Sequence, residues 1–145
     1  MVTTYEKFTY DLGELKLTKK DKAALEASYH SANFYDAGEY MVCTDETADA
    51  SVRGYILSSL WAFRPDFLAG ETHLPAEVFS CLQEKMNEDA NETIHALVKA
   101  TCGEASFVDA AVCADGRGHF LATYDNDEQT FTTKKGVTLF VYRCN

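Results

Sequence analysis

Apolar residues return at every third or fourth position through much of this chain, and at every second position near its end. Val52, Ile56, Leu60 and Phe63 form one stripe, which predicts a helix from about Glu46 to Phe63 with that face buried and Trp61 beside it. Thr44 or Asp45 is placed to cap its start. Val78, Phe79, Leu82 and Met86 predict another helix, opened by Pro75, whose missing N–H has no partner at a first helical position anyway. Ile94, Leu97 and Val98 predict a third, from about Glu92 to Thr101, closed by Cys102 and Gly103. Upstream, Thr18-Lys19-Lys20-Asp21 has the T-x-x-D spacing of a helix start, and Leu25, Tyr29 and Ala32 follow at helical intervals until Asp36-Ala37-Gly38. Thr4 to Tyr10 alternates and reads as a strand, with a turn at Asp11-Leu12-Gly13. Arg64-Pro65-Asp66 reads as a helix break, and residues 67–73 as a loop.

From Ala110 onward the pattern predicts a β-meander. Ala111 to Ala114, His119 to Tyr124, Glu128 to Thr133 and Val137 to Arg143 are rich in Val, Phe, Tyr and Thr. Asp115-Gly116-Arg117-Gly118, Asp125-Asn126-Asp127 and Lys134-Lys135-Gly136 separate them with residues that tolerate tight reversal. The last strand is apolar on both faces, which places it centrally, paired with the strand around Phe120. Tyr40 to Cys43 is a further short apolar run. Helices followed by strands predict an α+β fold: about four helices packed against a small C-terminal antiparallel sheet. At 145 residues the chain is expected to form one globular domain, mainly helical over 1–109 and a meander over 110–145.

Composition narrows the class. The chain is 46% hydrophobic, which suits a folded core and not a disordered segment. No apolar run approaches the roughly 20 residues of a membrane helix. The N-terminus lacks a basic and then apolar signal region, so the cytoplasm is the expected compartment. Five cysteines without a C-x-x-C pair argue for reduced thiols. Asn91-Glu92-Thr93 has the form of a glycosylation sequon and reads here as a helix start.

Charge changes the picture most. The net charge is −10, and residues 1–35 and 110–145 are each balanced, five acids against five bases and four against four. Residues 36–109 hold fourteen acids against four bases, Arg53, Arg64, Lys85 and Lys99, so the whole excess lies there. Such a field repels nucleic acid and membrane surfaces and favours a protein with a basic surface. Asp45, Glu46 and Asp49 suit the start of a helix. Glu71, Glu84, Glu88, Asp89, Glu92 and Glu104 are the candidate partner-binding acids, because some of them fall where a helix dipole disfavours negative charge. Solubility is the competing account of the same charge.

Catalytic patterns are sparse. His119, Asp115 and Cys113 lie around one predicted turn and suggest a base, its orienter and a nucleophile, but no oxyanion hole accompanies them. Gly116-Arg117-Gly118 lacks the remaining residues of a phosphate loop, and Asp125, Asp127 and Glu128 lack a calcium-loop pattern. His30, His73, His95 and His119 show no i, i+4 pairing. No metal and no cofactor are therefore expected. Lys16, Lys19, Lys20 and Lys22 are the only basic cluster, opposed by Glu14 and Asp21, so direct nucleic-acid binding is not expected either.

The run from Asp115 to Asp125, with Phe140-Val141-Tyr142-Arg143 at its end, resembles the C-terminal segment of small proteins encoded by phages and mobile elements. Small acidic proteins of that class include anti-restriction and anti-CRISPR inhibitors. The resemblance implies a non-enzymatic inhibitor that occupies the basic, nucleic-acid-binding surface of a host defence nuclease or effector complex, with DNA mimicry as one route. A small enzyme or accessory factor using the Asp115/His119 turn, and a phage structural protein, are the alternatives.

Overall fold

A computed structural model describes residues 17–29 and 40–144. The predicted N-terminal strand and turn, His30, and the end of the first helix at Gly38 lie outside the described residues. In chain order the elements are α1 (Lys19–Tyr29), β1 (Tyr40–Cys43), α2 (Asp45–Ser58), a 3-10 turn at Leu60–Ala62, α3 (Pro65–Thr72), α4 (Ala76–Met86), a second 3-10 turn at Asn87–Ala90, α5 (Asn91–Ala100), α6 (Glu104–Asp115), α7 (Arg117–Leu121), β2 (Glu128–Thr132) and β3 (Thr138–Arg143). The fold is α+β with a three-stranded antiparallel sheet in the order β1-β3-β2. Two compact units are present, one of residues 1–51 and 117–145 and one of residues 52–116.

In the first unit, α1 begins as its sequence demands. The Thr18 hydroxyl accepts from the Asp21 N–H at 3.1 Å, and Asp21 Oδ2 accepts from the Thr18 N–H at 3.2 Å, a reciprocal cap. Asp21 is buried, and its other oxygen accepts the N–H of Lys134 at 3.2 Å. These bonds, the Thr18 contacts first, hold its carboxyl below the usual carboxylate range. Thr44 caps α2 through the N–H of Thr47. All four residues of β1 are buried, and β1 pairs with β3 from Tyr40–Arg143 to Cys43–Phe140. Leu25, Tyr40, Val42, Leu139 and Val141 form a core cluster, with Leu17 and Phe131 packed on it. The final strand is central, as its two apolar faces require.

The meander is half realised. Only β2 and β3 form a hairpin, reversed at Gly136 (φ +83°), with Asn126 (φ +59°) in the loop before it. The expected strand at 111–114 lies in α6, and the expected strand at 119–124 begins as α7, so β3 pairs with β1 and β2 and not with residues around Phe120. Helix wins because Ala105, Ala110, Ala111 and Ala114 are strong helix formers and Phe107, Val108 and Ala111 bury one face. Gly116 (φ +85°) then ends α6 with its N–H on Val112 O at 2.7 Å, so it is a helix cap and not a hairpin turn. Gly118 is required for another reason. A Cβ there would lie 2.7 Å from Glu128 N and 2.9 Å from Asn126 O, both backbone atoms.

The second unit is helical. Residues 67–73, expected as a loop, belong mainly to α3, because Pro65 opens that helix instead of only closing the one before. His73 (φ +61°) takes the left-handed position at its end, and the buried Thr72 hydroxyl donates to Leu68 O at 2.6 Å. Phe63, Phe67 and Phe107 form a mutual aromatic cluster with centroids 5.4–5.7 Å apart. Asn91 bridges the end of α2 to the following 3-10 turn: its Nδ2 donates to Leu57 O at 2.8 Å and its Oδ1 accepts from Trp61 N at 3.2 Å. Ile56, Leu60, Leu68, Phe79, Ile94 and Val98 are fully buried.

Candidate functional site

The six candidate acids all lie in the helical unit, and their settings differ. Glu71 occupies the last turn of α3 and is half-buried. Glu84 occupies the last turn of α4 and is exposed, so both carboxylates face the negative end of a helix dipole. Glu88 and Asp89 lie in the second 3-10 turn, and Glu92 in the first turn of α5. That places Glu92 at the favourable N-terminal end of α5, with Glu88 and Asp89 just before it, a local reason for their charge that the sequence reading assigned to a function.

Glu104 is committed elsewhere. It starts α6 and binds His95 Nε2 at 2.7 Å, with Arg53 3.8 Å away. The His95 bond is the main reason its carboxyl sits below the ordinary value. Glu104 is therefore a tie between α5 and α6 and not a free acid. Glu71, Glu84, Glu88, Asp89 and Glu92 make no ion pair among the described residues. Over residues 84–92 this leaves four acids against the single base Lys85. The helical unit, residues 52–116, carries ten acids and four bases, a balance of −6.

Beside this strip is a shallow depression of about 330 Å³ lined by Pro65, Ser80, Gln83, Glu84 and Asn87. Gln83 is fixed there by donating to Phe63 O at 2.6 Å. Asn87, at φ 49° and ψ −129°, holds a conformation that non-glycine residues rarely adopt, and it turns the chain between Glu84 and Glu88.

The Asp115–His119 segment is not a β-turn. Asp115 is the last residue of α6, Cys113 lies within α6, and His119 lies in α7. The facing strands that were to oppose Cys113 and His119 are not formed. Cys113 and His119 are exposed, and the His119 ring stands edge-on to Phe120 with no hydrogen bond among the described residues. Among those residues no group of three or more His, Cys, Asp or Glu is placed to hold a metal ion. All five cysteines are free thiols, with Cys43 buried. No helix among the described residues is long and apolar enough to cross a membrane.

Arg117 is the residue whose role was hidden. Its Nε and Nη2 donate to the two oxygens of Glu128 at 3.0 and 2.8 Å, and its Nη1 donates to Asp45 and Asp49 at 2.7 and 2.9 Å. The guanidinium lies 4.6 Å from the centroid of the Phe140 ring. Tyr142 donates its hydroxyl to Glu128 Oε2 at 3.0 Å. The Glu128 bonds raise the Arg117 pKa above its ordinary value against the opposing effect of burial. Burial, and then the Glu128 charge, raise that of Tyr142. Arg117 thereby ties α2, α7 and β2 within the first unit. A lone arginine between two glycines signalled none of this, because its three acidic partners come from two distant stretches.

No protein-family model matches this sequence, and comparison with curated proteins and with solved structures returns no match.

Proposed function

We propose that this protein is an acidic inhibitor of the kind phages and mobile elements encode, and that it covers a basic, nucleic-acid-binding surface of a host defence nuclease or effector complex. One observation carries the reading: Glu84, Glu88, Asp89 and Glu92 present four exposed carboxylates, unpaired among the described residues, along α4, the 3-10 turn and α5. Helix electrostatics favours Glu88, Asp89 and Glu92 but not Glu84, which the helix dipole opposes. Exposed carboxylates in series give a basic partner a charge-complementary face and steer fast, salt-sensitive association. An arginine or lysine that normally grips phosphate is the group such a face would engage.

The test is phage plating on bacteria that carry a restriction or CRISPR system directed at that phage. Expression of the wild-type chain should raise plating efficiency by about tenfold or more. The triple variant Glu84→Lys, Glu88→Lys, Asp89→Lys should lose this effect while keeping its circular dichroism spectrum. Failure of the wild type against every such system, or full activity of the triple variant, defeats the proposal.

A further inference from the structure

The depression beside the acidic strip is lined by Pro65, Ser80, Gln83, Glu84 and Asn87, all within the helical unit. Its polar groups are acceptors in want of a donor. The Glu84 carboxylate has no ion pair and no hydrogen bond among the described residues. Gln83 spends its amide nitrogen on Phe63 O at 2.6 Å, which fixes the amide and leaves Oε1 with no donor among those residues. The Ser80 hydroxyl and the Asn87 side chain make no hydrogen bond among them either. No basic side chain lines the depression, so nothing in it answers the Glu84 charge.

Asn87 adds to this. Its N–H donates to Gln83 O at the end of α4, and its backbone, φ 49° and ψ −129°, is one that glycine adopts at less cost. An amide side chain there has no bond within the described residues to justify it. The volume, about 330 Å³, is at the lower end of ligand cavities and suits one long side chain. An anion would meet the Glu84 charge, and a calcium ion would find a single carboxylate among too few oxygens. A lysine brings a compact, strongly hydrated ammonium with three donors. An arginine brings a weakly hydrated planar fork with five N–H donors. It pairs with a carboxylate through two of them and keeps others for Gln83 Oε1, Ser80 Oγ and Asn87 Oδ1. Pro65 gives its methylene stem an apolar wall.

We infer that this depression is the seat for an arginine side chain of a partner protein, with Glu84 as counter-ion and Gln83, Ser80 and Asn87 as further acceptors. The inference rests on the acidic-inhibitor reading for the protein that supplies the arginine, and on the depression alone for the group it accepts. It gives a reason for Glu84, the one acid of the strip that its helix dipole opposes: a guanidinium seated against the carboxylate offsets that cost in the complex. Glu88, Asp89 and Glu92 do not line the depression and act on the approaching cation only through their field.

Amide NMR of the full chain, titrated at constant ionic strength with the capped tripeptide Gly-Arg-Gly, tests it. The peptide should shift the backbone signals of Ser80, Gln83, Glu84 and Asn87 and the side-chain amides of Gln83 and Asn87, saturating with a Kd of about 1–10 mM. The lysine tripeptide should bind about fivefold more weakly, and the one with uncharged citrulline about tenfold more weakly. Glu84→Gln should weaken arginine binding by about tenfold, whereas Glu88→Gln, the same loss of charge outside the depression, should change it by about twofold at most. Ser80→Leu fills the depression with no change of charge and should abolish the shifts. Asn87→Gly suits the backbone, removes one acceptor and should weaken binding by about threefold, so the test holds even if Ser80→Leu disturbs α4. Circular dichroism certifies each fold. Absence of saturable shifts, equal affinity for arginine and lysine, equal losses from Glu84→Gln and Glu88→Gln, or full binding by Asn87→Gly would each overturn the inference. Any of these would leave the acidic strip free to act in the plating assay. Arginine seated by a chain that fails every plating assay would instead defeat the proposed function and leave the seat standing.

Discussion

Replacing Arg117 by alanine withdraws four side-chain hydrogen bonds and a cation–π contact from the first unit at once, and their settings fix the size of the loss. Asp45 and Asp49 have side chains 60% and 67% exposed, so they rehydrate and forfeit little, about 0–1 kcal/mol each. Glu128 is only 28% exposed and is left with the Tyr142 hydroxyl as its side-chain partner, a desolvated charge short of donors, about 1–3 kcal/mol. The Phe140 ring loses a cation at 4.6 Å, about 0.5–1 kcal/mol. A total destabilisation of about 2–6 kcal/mol follows. With a urea m-value of about 2 kcal/mol/M, the midpoint should fall by about 1–3 M. Arg117→Lys keeps the charge and much of the stem but cannot form the two-pronged contact with Glu128, and should lose about half as much. Urea unfolding followed by circular dichroism gives the midpoints, and hydrogen exchange of β3 amides localises the effect to this unit. An alanine variant within about 0.5 kcal/mol of wild type would show that the network is solvated and that the geometry misleads about its strength.

Three further predictions test other parts of the structure. Gly118→Ala should destabilise by about 1–3 kcal/mol, because its Cβ meets backbone atoms at 2.7 and 2.9 Å, whereas Gly54→Ala in α2 meets nothing within 4 Å and should stabilise by about 0.5–1 kcal/mol; equal melting temperatures for the two would refute the packing argument. Glu104 should titrate below 4.5 in carboxyl-carbon NMR, with its share of stability complete above that value and lost as pH falls through the lowered one; His95→Ala should bring the titration back up, and a wild-type midpoint at or above 4.5 would contradict the pairing. Exposed Cys81 and Cys113 should react first with a thiol reagent, while Cys43 and Cys144 lag, the latter because burial pushes its thiol up to about 11; fewer than five thiols after denaturation without reductant would reveal a disulfide.

The parts of the fold that were legible in the sequence are those where one signal dominated. Val52 and Ile56 became the buried face of α2, which ends at Ser58 and leaves the buried Leu60 to the 3-10 turn, Ile94 and Val98 became that of α5, and Thr18 with Asp21 capped α1 as their spacing required. The errors came where one residue had two physical uses. Pro65 ends one helix and begins the next, and a local pattern shows only the first use. Gly116 and Gly118 looked like a hairpin turn, yet one caps a helix and the other admits a neighbouring backbone. In Ala111 to Ala114 the valine and cysteine suggest a strand, whereas the alanines favour the helix that forms. The partner of β3 was invisible for a different reason: β1 lies about a hundred residues upstream, and no local pattern announces so distant a pairing. At the candidate site, charge counting found the acidic strip but could not see that Glu104 was spent on His95 and Arg53.

Asn91 has a consequence for how the chain must be made. It is the acceptor position of an Asn-Glu-Thr sequon, and its side-chain amide is already used on both sides, donating to Leu57 O and accepting from Trp61 N. A sugar attached to that nitrogen during synthesis would replace one of its two donor hydrogens. The bridge between the end of α2 and the turn after it would then rest on the one hydrogen that remains. In a chain modified there, the tie between Leu57 and Trp61 would depend on a single amide hydrogen and the amide oxygen.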